Sequence, residues 1–396
     1  MLGAMRTVVP LPGLEIRGRN LPLAVVQGGM GVGLSRSRLA GTVAGCGGMG
    51  TLAAQGLGAV STLEGAQALV RGRRRDDPHG VEVLAYETRA ARELAGDRGL
   101  VAVNVMVAVT HYADLVRSAV AGGAQAIVSG AGVPLDLPAL VPEPHVALIP
   151  IVSSPRALML ICRHWAHFHG GRRPDAVVVE GPLAGGHLGF KREDLDAPEN
   201  AWPNLLPRIL EEARKWGEFP VIAAGGIFDH DDAQQMLSLG AAGVQLGTRF
   251  VTTDECDVDD RYKAVYLRCT PEQIMLLKTP VGLWARALRT PLLERFERGD
   301  YPGFKCHYQC LSTCLAHEVR YCIADHLIDA AKGDEQGFFF AGSNAWRCRE
   351  ILPVAELMRR LRDGEPSQPA EATPGTAPAD STRAGRESPS QRPRSG

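Results

Sequence analysis

One histidine stands in a setting where an imidazole can do chemistry. His187 lies in the run Glu180–Gly189, which carries glycines at 181, 185, 186 and 189. The apolar residues Ala176–Val179 come just before it and read as a buried strand. A buried strand that opens into a glycine-rich loop lets backbone come close to a ligand. An imidazole there titrates near neutral pH and can remove or relay a proton. Two other strand-ending turns, Gly225–Gly226 and Gln245–Leu246–Gly247–Thr248, offer bare N–H groups of the kind that receive phosphate. Asn104 sits inside the apolar run Leu100–Val107, where an amide must find a partner. Among ligand-type loops it points to a cofactor contact rather than a tie between strands.

Two other clusters compete for attention. His164, His167 and His169, spaced three and two apart, lie on or just beyond a helix and read as a solvated face or cap. Cys306, Cys310, Cys314 and Cys322 have spacings of four, four and eight, which on a helix would put four sulfurs on one face. Four thiolates can hold zinc or an iron–sulfur cluster. The C-x2-C pairs of structural metal sites are missing, and one continuous helix rarely wraps a tetrahedral ion. The expectation is small core thiols and no metal.

The elements that must position these residues alternate. Short apolar strands are read at Leu23–Val26, Gly48–Leu52, Leu100–Val107, Ala126–Val128, Ala147–Val152, Ala176–Val179, Pro220–Ala224 and Gly243–Leu246. Between them come helical stretches at Arg38–Ala44 (with Ser35 as its N-cap), Val81–Ala95, Tyr112–Ala121, Pro155–Phe168, Trp202–Trp216 and Asp231–Leu239. Such alternation demands a parallel sheet. Eight units over about 250 residues fit an α/β fold of the closed (β/α)8 TIM-barrel type, with ligand chemistry at the strand C-termini. An open doubly wound sheet is the alternative, but the glycines at 28, 29, 31 and 33 do not have dinucleotide-fingerprint spacing.

The expected organisation is a barrel over 1–268, a small helical appendage over 269–342 at the barrel mouth, a closing amphipathic helix within 343–363 and a tail over 364–396. Arg261–Phe304 reads as irregularly helical. The tail is Pro-, Ser-, Ala-, Thr- and Arg-rich and is expected to be disordered.

Bulk composition narrows the function. The 396 residues are 45% hydrophobic and 22% charged, a globular balance. A formal net charge of −1 gives no long-range attraction to nucleic acid or an anionic membrane. No run of about 18 apolar residues reads as a membrane span. Met1–Gly13 lacks the pattern of a secretory leader. Nine scattered cysteines form no disulfide framework and fit reduced thiols in the cytoplasm. The oligomeric state is open, a homo-oligomer included.

The ordered pieces QGGMGVG, VNVMV, SGAGVP, VVVEGPLAGGHLGF, VIAAGGI and VQLGTRF, with GSNAWR at Gly342–Arg347, resemble the nitronate monooxygenases, or 2-nitropropane dioxygenases. The match runs from about Leu21 to Val251. Flavin-dependent enoyl-ACP reductases are similar across the same motifs. The resemblance implies a barrel that binds FMN through Gly29, Met30, Asn104, Glu180, Gly185, Gly226 and Gln245, Leu246, Gly247 and Thr248. Gly186 and Gly225 complete the expected cofactor set. It implies His187 as the active-site base. It also implies oxidation of alkyl nitronates, with nitroalkanes as further substrates, by O2 to carbonyl compounds and nitrite. The alternative is an NAD(P)H-dependent flavin oxidoreductase such as an enoyl-ACP or quinone reductase; a non-catalytic flavin-binding protein is a third class. Glu180 stands where glutamine is frequent, and a carboxylate beside the flavin would disfavour its anionic reduced form.

Overall fold

Eight short strands close on one another. In the computed structural model, which describes residues 8–64, 80–306 and 308–364, β3 (Val25–Gln27), β4 (Met49–Ala53), β5 (Leu100–Asn104), β6 (Ala126–Ser129), β7 (Ala147–Val152), β8 (Val177–Glu180), β10 (Val221–Ala224) and β11 (Gly243–Leu246) form a closed barrel. Every pairing between them is parallel, including β11 with β3, which closes the ring. The eight expected strands are these eight. Two-sided burial explains why they read as nearly continuous apolar runs. Val26, Ala102, Val128, Ile149, Val178 and Ile222 fill the barrel interior. Val25, Val101, Ile127, Leu148, Val177 and Val244 face outward and join the core shared with the helices.

The interior is closed below by a hairpin that sequence periodicity did not reveal. β1 (Leu14–Ile16) and β2 (Arg19–Leu21) pair antiparallel, and Leu14, Ile16 and Leu21 join the interior cluster. Three-residue strands are too short to show a period. The helix Val354–Asp363 packs from outside; Val354, Leu357, Met358 and Leu361 are buried, and the Leu361 carbonyl accepts a bond from the His230 ring at 2.8 Å.

Several expectations need correction. Asn104 is the last residue of β5, not mid-strand, so it stands at the rim. The segment Arg261–Phe304 begins with the helix Asp260–Leu267 but continues as a hairpin, β12 (Ile274–Lys278) and β13 (Trp284–Leu288). Five-residue strands half covered by neighbours carry too little alternation to betray themselves. The 269–342 segment therefore holds sheet as well as the helices Pro291–Glu297 and Ile323–Ala331. No helix carries Cys306, Cys310 and Cys314. The expected disordered tail lies, from 365 on, outside the described residues. Among the described residues no helix is long and apolar enough to cross a membrane.

Ser35 does not cap the first helix. Its hydroxyl accepts the Met30 N–H at 3.0 Å and the Gln27 side-chain N–H at 2.8 Å, folding the loop after β3. The helix Ser37–Gly45 is instead capped at a distance. The Asp257 carboxylate accepts the N–H groups of Arg36 (3.1 Å) and Leu39 (3.2 Å), and Glu87 accepts that of Ser37 (3.0 Å). Asp257 and Arg36 are both nearly buried, with side-chain charges 3.9 Å apart. Removing one partner of such a pair leaves the other buried and uncompensated, a loss of about 3–5 kcal/mol. We expect Asp257→Ala to lower unfolding free energy by about that amount in urea; a loss below about 1 kcal/mol would show the caps to be dispensable.

Candidate functional site

The barrel strands end level with one another. Leu246 pairs with Gln27, Ala53 with Asn104, and Ala224 with both Glu180 and Gln245. The loops that follow these residues therefore leave from one rim, the C-terminal one, where barrel chemistry gathers. Asn104 donates to the Gly29 carbonyl at 3.5 Å, and a Cβ on Gly29 would stand 2.6 Å from the Asn104 Cβ. Only glycine fits there. Met30 sulfur lies beside Gly247. Gly225 and Gly226 have φ of +104° and +79°, and side chains on them would strike Ala184 and Leu183. Gly185 packs on the Ala341–Gly342 backbone, and the Gly342 N–H donates to Thr248 Oγ1 at 2.9 Å. The expected contact residues thus gather at one rim, on the last residues of the strands (Asn104, Glu180, Gln245) and on the segments that follow them, Gly186 in the short strand it shares with His187. Leu246 is the exception in kind: its side chain is buried in the outer core, and only its backbone reaches the rim, its carbonyl accepting the Gly28 N–H at 2.9 Å.

His187 is held by a strand nearly a hundred residues further on. Gly186–His187 form a two-residue strand, β9, paired antiparallel with β13 through Ala285 and Arg286. The ring packs edge-on to Phe340, centroids 5.1 Å apart. Its Nε2 lies 3.1 Å from Thr279 Oγ1, which itself donates to the Leu283 carbonyl at 3.0 Å. A hydroxyl has one proton. With that proton given to Leu283, Thr279 can only accept from His187. This places the imidazole proton on Nε2 and leaves Nδ1 with the basic lone pair. Burial lowers the His187 pKa to about 4, so the ring is neutral near pH 7.

Glu180, half-buried at the end of β8, makes no ion pair or side-chain hydrogen bond among the described residues. Burial pushes its carboxyl up to about 8. That shift favours the neutral acid near pH 7, a form that can donate a hydrogen bond. Asn104 Oδ1 is buried without a partner. Such a group marks a place where a ligand's donor is missing. The rim thus offers a free acceptor, a neutral acid, a basic nitrogen and bare backbone.

Four residues essential to this geometry escaped sequence reading. Arg286, buried on β13, donates to the carbonyls of Pro182 and Ala184 and so fixes the loop that carries the glycines. Thr279 orients the histidine. Asn344 donates to the Gly226 carbonyl at 2.6 Å, and Arg347 pairs with Asp232 at 2.7 Å and with Asp229. The last two lie in GSNAWR, whose motif was visible but whose partners were not. Elsewhere, His164 and His169 approach the exposed Asp136, and His169 caps its helix and bonds the Leu135 carbonyl; His167 stands apart. His167 is exposed and His169 is the C-cap residue, whereas His164 and His169 are half-buried and their ring nitrogens lie within 4.8 Å of each other and of an Asp136 oxygen.

Fold and rim together define a (β/α)8 barrel whose candidate site lies at the strand C-termini. The family model described as nitronate monooxygenase matches residues 19–364. The chain belongs to that family, and it is an oxidoreductase. It is 32% identical over 298 residues to a (3aS,4S,5R,7aS)-5-hydroxy-7a-methyl-1-oxo-octahydro-1H-indene-4-carboxyl-CoA dehydrogenase of Mycobacterium tuberculosis, covering 75% of this chain and 70% of that one. A probable nitronate monooxygenase of Staphylococcus aureus is 30% identical over 142 residues, covering 35% of this chain and 39% of that one. Among solved structures, FabK of Thermotoga maritima superposes with a TM-score of 0.64 at 25% identity, over 86% of this chain and 92% of that chain.

Two outcomes test the electrostatics. Replacing Thr279 by valine removes the acceptor for Nε2–H, so nitrogen-15 spectra should show the wild-type Nε2–H tautomer giving way to a mixture. A wild-type ring protonated at Nδ1 would refute the assignment. For Glu180 the sign follows from its raised pKa. As pH rises from about 4.5 to about 8 the unfolded chain ionises first, so stability is lost across that window. For His187 the loss comes on acidification, from about 6.5 to about 4. Glu180→Gln should therefore gain denaturant midpoint over wild type steadily from pH 5 to pH 8; parallel profiles would contradict the burial of a neutral acid.

Proposed function

We propose that the protein is an FMN-dependent nitronate monooxygenase that converts alkyl nitronates and O2 to carbonyl compounds and nitrite. The observation that carries this reading is the neutral, oriented imidazole of His187 on the same rim as the glycine turns. The unpartnered Asn104 Oδ1 and the close-packed Gly29 fit a flat ring system with N–H groups at its edge. The N–H groups of Gly225, Gly226, Gly247 and Thr248 suit its phosphate, since loops after the seventh and eighth barrel strands are the usual phosphate site in this fold. A bound flavin would take electrons from substrate carbon and return them to oxygen.

The side chains of this chain do the rest. A neutral His187 and a neutral Glu180 set no negative charge against an anionic nitronate. Glu180 can donate a hydrogen bond to a ring oxygen or nitrogen while it stays protonated. His187 Nδ1 can take a proton from a neutral nitroalkane, though a base held near 4 is weak. This favours the preformed nitronate over the nitroalkane. Phe340 packs edge-on against the His187 ring and limits its access to water.

A second reading has its own support. The relative from M. tuberculosis is named a dehydrogenase of a carboxyl-CoA, and FabK shares the fold over most of the chain. A flavin oxidoreductase acting on an acyl thioester, with or without NAD(P)H, would use the same rim and the same base.

Anaerobic mixing separates the readings. With FMN bound, we expect an alkyl nitronate to bleach the flavin faster than NADH, NADPH or an acyl-CoA. Rapid bleaching by the thioester or by a nicotinamide, with none by nitronate, would hand the assignment to the second reading. In the same assay His187→Asn should keep FMN and lose about 10²–10⁴-fold in kcat/KM on neutral nitroalkane. Unchanged turnover would remove the histidine from the chemistry.

A further inference from the structure

The four cysteines at 306, 310, 314 and 322 do not sit in the core, as the sequence led us to expect. They are half-buried on an irregular segment without helix. The chain nonetheless turns all four toward one cavity of about 340 Å³. Cys310 lies within electrostatic reach of Cys306, Cys314 and Cys322, and Cys314 of Cys306. None of the other five cysteines lines this cavity; Cys162, Cys256, Cys269 and Cys348 are buried elsewhere.

A second observation concerns the backbone. The Gln309 N–H donates to Cys306 Sγ at 3.4 Å. Cys322 stands at the N-cap of the helix Ile323–Ala331, where the N–H groups of Ala324 and Asp325 oppose the upward push of burial on its thiol. Two of the four sulfurs, Cys306 and Cys322, thus have backbone N–H groups beside them. A neutral thiol gains little from this, whereas a metal-bound thiolate is stabilised and tuned by it.

The spread of the sulfurs favours a larger centre over a single ion. A tetrahedral zinc with bonds of about 2.3 Å holds its sulfurs only about 3.8 Å apart. Among the described residues no three cysteine sulfurs lie within 4.8 Å of one another. As it stands the set is wider than a single tetrahedral ion requires, while all four cysteines still line one cavity. We propose that Cys306, Cys310, Cys314 and Cys322 ligate an iron–sulfur cluster beside the barrel mouth.

The position gives the cluster a structural consequence. The cavity is also lined by Pro280 and Val281, which follow Thr279, the residue that orients His187. The cysteine segment is pinned to the loop beyond β5 by the Thr110 N–H on the Cys310 carbonyl (3.1 Å) and the Ser312 N–H on the Ala108 carbonyl (2.9 Å). A cluster here would brace the β12–β13 turn against that loop. The inference does not rest on the nitronate reading.

The test uses the full chain, purified without oxygen and reconstituted with ferrous iron and sulfide. Iron, acid-labile sulfide and zinc are counted per chain, and the dithionite-reduced protein is examined by electron paramagnetic resonance. Flavin is counted separately after release by heat. We expect two or four irons with matching sulfide and a signal distinct from a flavin radical. Cys310→Ala and Cys314→Ala should each lose most of the iron, and Cys46→Ala should keep it. Iron-free protein with native circular dichroism after reconstitution would overturn the proposal. So would one zinc per chain lost on Cys310→Ala, or a pair of disulfides among the four. Iron-loaded protein that binds no flavin would instead sink the flavin reading and leave the cluster standing.

Discussion

A buried guanidinium holds the candidate site together. Arg286 comes from a strand outside the barrel, lies about 7% exposed, and gives its N–H groups to the carbonyls of Pro182 and Ala184. A charge is costly to bury unless its donors are satisfied. Here the acceptors are the backbone of the loop that must present bare glycines. The same strand pairs with Gly186 and His187. One element thus fixes both the course of the loop and the angle of the imidazole, which a flexible glycine-rich segment could not do by itself.

From that constraint the chemistry of the rim follows. Once the loop is pinned, His187 is enclosed by Phe340 and Thr279 and loses the solvent that would stabilise its charge. Glu180, one strand-end away, loses solvent too. The two groups shift in opposite directions for the same reason, because desolvation disfavours whichever form is charged. The outcome is a site with a basic nitrogen and an acidic proton but little net charge near neutral pH. Such a site can receive an anionic substrate without a fixed opposing charge.

The other half of the rim is secured from the far end of the chain. Arg347 joins Asp229 and Asp232, which also form the capping box of the helix His230–Ser238. Asn344 holds the Gly226 carbonyl, and the Gly342 N–H reaches Thr248. The turns offered for a phosphate are therefore clamped by a segment about a hundred residues away in sequence. The cysteine loop adds a third restraint beside the β12–β13 turn.

The eight barrel strands and most of their helices were legible because two-sided burial writes apolar runs of strand length, and helix spacing writes its own period. The glycine turns, His187, Asn104 and Glu180 were legible because glycine and lone polar residues at strand ends break those runs. What could not be read were partnerships. Thr279 looks like any threonine, Arg286 like any strand arginine, and Ser35 like an N-cap. The cysteine spacing reads as helical although the segment is not a helix. Local sequence determined which residues stand at the rim, since side-chain period and chain punctuation are short-range properties. Tertiary structure alone decided the protonation of His187 and Glu180, and the gathering of four sulfurs. Burial and contacts between distant segments exist only after the chain has closed.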